Sequence, residues 1–139
     1  MTVILNPYLN FRGSTREAME FYQSVFGGEL TLSTFEELGG EVGDDEKSLI
    51  MHSQLTTPGG LTLMAADVPK HMSYSAGENA NSVSISGDDD ATLRGYWDGL
   101  TAGATIQEPL TVAPWGDAFG MFVDRFGIHW LVNISAPAA

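Results

Sequence analysis

Three histidines, His52, His71 and His129, are the side chains of this chain that change charge near neutral pH. His52 lies in the run Ile50-Met51-His52-Ser53-Gln54 and His129 in Ile128-His129-Trp130-Leu131-Val132. A histidine on such a strand can act as a general base, a metal ligand or a hydrogen-bonded structural residue. His71, beside Lys70, reads as solvent-exposed. Together with Asp67 or Asp124 the two strand histidines could form a divalent-metal triad, at a spacing that matches no standard motif. Asp124 opens Asp124-Arg125-Phe126-Gly127 and reads first as a turn residue whose carboxylate accepts backbone N–H groups. The chain has no cysteine, which excludes disulfides, thiolate nucleophiles and zinc–thiolate sites. Trp115, after Pro114, could stack on a planar ligand at a cleft mouth or seal the edge of a core.

These residues must be positioned by a folded domain. A chain of 139 residues fits one domain or two small halves, and 43% hydrophobic against 17% charged residues provides for a core. Six Lys and Arg against eighteen Asp and Glu give a net charge of -12, which repels phosphate backbones and anionic lipid. Nucleic acid and membrane are therefore not expected partners. The amino terminus lacks the basic and apolar regions of a secretory signal, and no window approaches the roughly 18 apolar residues of a membrane span. The cytoplasm is the expected compartment.

Periodicity gives the elements. Val3 to Phe11 alternates as a strand. Ser14 and Glu17 have capping-box spacing, and Ala18, Phe21, Tyr22, Val25 and Phe26 form the apolar stripe of a helix closed by Gly27-Gly28. Leu30 to Phe35 is a second strand, and the acidic, glycine-bearing stretch Glu36 to Lys47 a solvated loop. Ser48 to Thr56 and Leu61 to Ala66 are strands joined by a Thr57-Pro58-Gly59-Gly60 turn. After a linker the pattern restarts. Ser82 to Ser86 is a strand, and Asp88-Asp89-Asp90 begins a helix with the stripe Leu93, Tyr96, Trp97 and Leu100. Strands at Thr105 to Val112, Phe119 to Val123 and Ile128 to Ile134 follow.

The two halves repeat. An offset of 75 sets Phe21 on Tyr96, Tyr22 on Trp97 and Gly28 on Gly103, and an offset of 67 sets Gly60 on Gly127 and Met64 on Leu131. The expected architecture is α+β: two βαβββ modules, about 1–67 and 81–135, joined by a linker of about 68–80 within one domain. Paired modules would form a curved mixed sheet with helices on the convex face and a concave cavity.

Pro7 to Phe11 with Gly13, Ala18-Met19-Glu20-Phe21-Tyr22, Phe26-Gly27-Gly28, His52, Leu63-Met64 with Asp67, Trp115-Gly116, and Asp124 to Trp130 together resemble the vicinal oxygen chelate superfamily. That superfamily includes glyoxalase I, extradiol dioxygenases and bleomycin-resistance proteins. Within it the chain looks most like the PhnB-like branch, often given a 3-demethylubiquinone methyltransferase name. The resemblance spans the first strand to the last and implies the glyoxalase-like fold and a homodimer. Metal-dependent glyoxalases take His, Glu or Gln ligands from the first and fourth strands of each half. The matching positions here are Asn6 (or Pro7), Met64, Ser82 and Leu131, a set without a good divalent-metal ligand. No metal or other cofactor is expected from it. The glycine-rich strand-to-helix turn of a Rossmann-type methyltransferase is not in the chain either.

If Leu131 faces the cavity, period-two alternation puts His129 and Asn133 beside it. By the same parity Ser82, Ser84 and Ser86, Thr62, Met64 and Ala66, and Asn6, Tyr8 and Asn10 line the cavity, while Leu9, Phe11, Leu63 and Trp130 lie beneath the helices. His52 is read as sharing a face with Ile50 and Gln54. The candidate catalytic residues are His52 and His129. The candidate ligand-binding residues are Asn6, Tyr8, Asn10, Gln54, Met64, Ser82, Ser84, Trp115 and Leu131. The expected function is binding of a small molecule in the cavity without the usual metal. The alternatives are a lyase or other enzyme of the superfamily using His52 or His129, metal-dependent or not, and a dimeric scaffold without pocket chemistry.

Overall fold

Each half of the chain closes a helix onto its own sheet, and the residues at the chain reversals explain how. The computed structural model describes residues 3–77 and 80–136. It divides into two compact units, Met1–Ala76 and Gly77–Ala139. The first contains β1 (Tyr8–Phe11), α1 (Thr15–Phe26), β2 (Glu29–Thr34), the one-turn helix α2 (Phe35–Leu38), β3 (Ile50–Thr56) and β4 (Thr62–Asp67). The second contains β5 (Val83–Gly87), α3 (Asp90–Leu100), β6 (Thr105–Val112), β7 (Ala118–Val123) and β8 (His129–Ile134). The sheets are four-stranded, in the orders β1-β4-β3-β2 and β5-β8-β7-β6. In each, the first strand runs parallel to the fourth and the other neighbours are antiparallel. This is the expected α+β fold of two βαβββ modules, with no Rossmann-like run of parallel strands.

The helices bury the stripes that their periodicity dictates, slightly rotated. On α1 the buried residues are Thr15, Ala18, Met19 and Tyr22, with Phe21, Val25 and Phe26 at the half-buried shoulders. On α3 they are Leu93, Trp97 and Leu100. The sheets bury Leu9, Phe11, Leu55, Leu63 and Ala65 in the first unit, and Phe122, Trp130, Val132 and Ile134 in the second. Trp97 packs edge-on against Phe122, whose ring stacks on Trp130, with centroids 5.1 and 6.4 Å apart.

Several local expectations change. The first strand begins only at Tyr8, and Val3 and Leu5 are fully exposed. Ser14 makes no capping hydrogen bond. The start of α1 is instead capped by Asp67 at the end of β4, whose Oδ1 accepts from Gly13 N (2.8 Å), Thr15 N (3.1 Å) and Thr15 Oγ1 (2.8 Å). Its Oδ2 accepts from Ile50 N at 2.9 Å, so one buried carboxylate ties α1, β3 and β4 together. A carboxylate of that kind satisfies donors that would otherwise be buried unpaired. The stretch read as a solvated loop holds α2, started by a true capping box between Thr34 and Glu37. It also holds Glu46, a buried carboxylate that accepts from Lys70 N at 2.9 Å.

The second unit uses its carboxylate differently. Asp89 caps α3 locally, accepting from Thr92 N and Thr92 Oγ1, and these bonds hold its carboxyl below the usual range. The buried Asp124 organises the turn from β7 to β8. Its Oδ1 accepts from Phe126 N (2.8 Å) and Ile128 N (3.1 Å) and its Oδ2 from Trp130 Nε1 (2.8 Å). Thr57 is the matching residue of the first unit, and its Oγ1 accepts from Leu61 N at 3.0 Å in the same way.

Candidate functional site

Register decides which side chains meet on the sheet face away from α1. Tyr8 pairs with Met64, Met64 with Gln54 and Gln54 with Thr31, so these four side chains form one rung across all four strands. His52 stands in the next rung, opposite Ser33. Ile50 does not share its face. Thr34 pairs with Ile50 while Ser33 pairs with His52, so Met51 is an extra residue, a bulge that turns Ile50 into the core.

Adjacent rungs bring Tyr8 and His52 together. Tyr8 Oη lies 3.2 Å from His52 Nδ1, and the two rings are tilted by 31° with centroids 5.9 Å apart. Tyr8 is 45% exposed, and its partial desolvation raises the phenol above the usual range. The phenol therefore remains protonated at neutral pH. If it donates to Nδ1, the imidazole proton sits on Nε2; if Nδ1–H donates instead, the phenol O–H is released. Either tautomer leaves one donor for an acceptor on a bound molecule. Half-buried Met64 and Gln54 extend the surface beside the rings.

The remaining sequence candidates belong to both units. Asn6 precedes β1, and its Nδ2 donates to Pro7 O at 3.0 Å. Asn10 is exposed on β1, and its carbonyl accepts from Tyr74 Oη at 3.5 Å. In the second unit Ser84 pairs with Leu131 and Leu131 with Met121, on the face away from α3. His129 is on that face too, opposite Val123, and its ring has no hydrogen-bonded partner among the described residues. Ser82 is exposed just before β5. Trp115 is 69% exposed at the tip of the turn between β6 and β7, closed by Ala113 N donating to Asp117 O at 2.7 Å. Asn133 Nδ2 donates to Asp117 Oδ2 at 3.2 Å.

Sequence reasoning placed Tyr8 and His52 separately and missed their pairing, because it rests on the register of three strands. Met64 and Leu131 occupy the fourth-strand sites and offer no hard donor. Among the described residues no three His, Asp or Glu side chains converge to hold a metal ion.

Known proteins share this fold. Residues 4–132 match the Glyoxalase/Bleomycin resistance protein/Dioxygenase superfamily. The chain belongs to that superfamily. Protein PA1353 from Pseudomonas aeruginosa superposes with a TM-score of 0.85 at 34% identity, over 98% of this chain and 100% of that one. A PhnB protein from Bacillus cereus, which carries a 3-demethylubiquinone-9 3-methyltransferase name, superposes with a TM-score of 0.70 at 22% identity, covering 96% and 100% of the two chains. YjdN of Escherichia coli K12 is 24% identical over 141 residues, 94% of either chain. The chain thus shares its fold with both solved structures, the PhnB protein included. No helix among the described residues is long and apolar enough to cross a membrane.

Proposed function

We propose that this superfamily member binds a small, planar, uncharged molecule bearing a carbonyl-type acceptor, laid against Tyr8, His52, Met64 and Gln54 without a metal ion. The observation that carries the reading is the Tyr8–His52 hydrogen bond, which leaves a donor beside two aromatic rings and a thioether. Flat rings and a pliable methionine favour a planar partner. The net charge of -12 disfavours an anionic one. Metal content after purification, followed by thermal shift with divalent ions and with coumarin, 4-quinolone and isatin, tests it. The expected result is no stoichiometric metal and a rise in Tm with a carbonyl compound in EDTA, reduced in Tyr8→Phe. Stoichiometric metal, with a larger rise on adding a divalent ion than with any of these compounds, would overturn it.

The same hydrogen bond supports a second reading, an enzyme of the lyase type. His52 would take or return a proton at a carbon next to the carbonyl while the protonated Tyr8 stabilises the developing oxyanion. Turnover that follows a histidine-like pH profile and is lost in His52→Asn would favour this reading over binding alone. Kinship also supports a homodimer, which sedimentation velocity checks by mass.

A further inference from the structure

The second unit has a groove on its helix-bearing side, away from His129. In the first unit α1 packs on β2, β3 and β4, whereas the principal strand partners of α3 are β5 and β8. Helix α3 thus lies mainly over β5 and β8, to one side of the edge strand β6. Its path is irregular: Ile106 pairs with Phe122 and Glu108 with Met121, which makes Gln107 a bulge, and a second irregularity falls between Glu108 and Thr111 around Pro109. Between α3 and this strand lies a groove of about 430 Å³ lined by Arg94, Trp97, Asp98, Ile106, Pro109 and Leu110. Gly120 permits its floor. A Cβ there would stand 2.6 Å from the Trp97 ring and 2.9 Å from the Leu110 backbone, so the strand must be bare for both to close in.

The lining sorts by chemistry. Trp97, Ile106, Pro109 and Leu110 give an apolar floor and wall of a size suited to a small ligand. Two charges stand on the α3 side. The Arg94 Nε donates to both oxygens of Asp90 at 3.1 Å, so that cation is already matched. The exposed Asp98 carboxylate has no hydrogen-bonded or ionic partner among the described residues. In a chain of net charge -12, an apolar groove beside an unmatched carboxylate complements a cation with an apolar body. We infer that this groove is a second binding site, independent of the Tyr8–His52 face, for a small lipophilic ammonium ion: the apolar part on Trp97, Pro109 and Leu110, the ammonium at Asp98.

Phenethylammonium, with 2-phenylethanol as its neutral analogue and 3-phenylpropionate as its anionic one, is the probe, followed by NMR titration of the Trp97 indole N–H and the Ile106 and Leu110 amides. Phenethylammonium is expected to shift these signals saturably, 2-phenylethanol to bind at least fivefold more weakly and 3-phenylpropionate not to bind. Asp98→Asn, at an exposed position, should weaken phenethylammonium at least fivefold. Ile106→Lys, at a half-exposed edge position, should abolish it, and Tyr8→Phe should leave it unchanged. No saturable shift, equal binding of the three compounds, or indifference to Asp98→Asn and Ile106→Lys would overturn the assignment. Loss of binding in Tyr8→Phe would overturn its independence.

Discussion

The two βαβββ units fold alike and are chemically unlike, and the repeat makes the difference measurable position by position. On the face away from the helix, the rung Tyr8, Met64, Gln54, Thr31 of the first unit corresponds to Ser84, Leu131, Met121, Glu108 of the second. At the offset of 67, His52 corresponds to Phe119 and His129 to Thr62, so the two histidines are not equivalent. Only the first unit sets a phenol against an imidazole. The framework carboxylates differ as well: Asp67 joins a helix to two strands, and Asp124 holds a turn and a tryptophan. A shared backbone plan therefore constrains where side chains project, while the side chains themselves decide what each face can do.

The strongest test of that contrast is removal of the two carboxylates. Asp67→Ala leaves four donors in a buried site and should cost the first unit about 4 kcal/mol. Asp124→Ala should cost the second about 3 kcal/mol, because its turn reaches solvent more easily. Hydrogen exchange resolves the two, with α1 and β3 amides losing protection in one variant and β8 amides in the other. Equal loss across both units in either variant would break the assignment of each carboxylate to its own unit.

A smaller difference is expected at the paired glycines that end the helices. Gly28 has φ of +90° and a Cβ there would stand 2.3 Å from Thr56 O, so Gly28→Ala should cost about 3 kcal/mol through clash and strain. Gly103 has φ of +77°, but its nearest neighbour is the side chain of Arg125 at 3.4 Å. Gly103→Ala should then cost about 1 kcal/mol, the strain alone. Urea denaturation gives both values, and equal values would mean that the close approach of Gly28 to β3 does not matter.

Much of this was legible beforehand because it is local. Glycines at positive φ, the Thr57 and Asp124 turns, and the stripes on α1 and α3 mark the repeat, and β6 runs over the expected Thr105 to Val112. What was not legible depends on residues far apart in the chain. Ser14 and Glu17 carry the spacing of a capping box, yet Asp67 supplies the cap from the end of β4. Alternation alone placed Ile50 with His52, and the single extra residue Met51 reversed it. The meeting of Tyr8 with His52 needs the register of β1, β4 and β3 together, which no spacing in the sequence displays. Likewise the groove beside Trp97 follows from irregular pairing of β6, which the expected strand Thr105 to Val112 does not display.

On the site itself, Tyr8→Phe should weaken the carbonyl ligand about tenfold, the worth of about one hydrogen bond, while Ser84→Ala at the equivalent position should leave it unchanged. The smallest effect is in the phenol's own titration. Burial raises Tyr8, so its ring carbon should titrate above the ordinary value of 10.0. With the folded value raised, the contribution to stability is fully present below about pH 10 and is lost as the pH rises through the folded value. A midpoint at or below the ordinary value would contradict the partly desolvated position given to the phenol.

The most direct test follows the ring signals of ¹³C- and ¹⁵N-labelled histidine while the tightest-binding of coumarin, 4-quinolone and isatin is added in EDTA. The His52 signals should move saturably with a change in tautomer balance, and those of His129 should stay in place. Movement of His129 with His52 unchanged, or no movement of either until a divalent ion is supplied, would contradict the account.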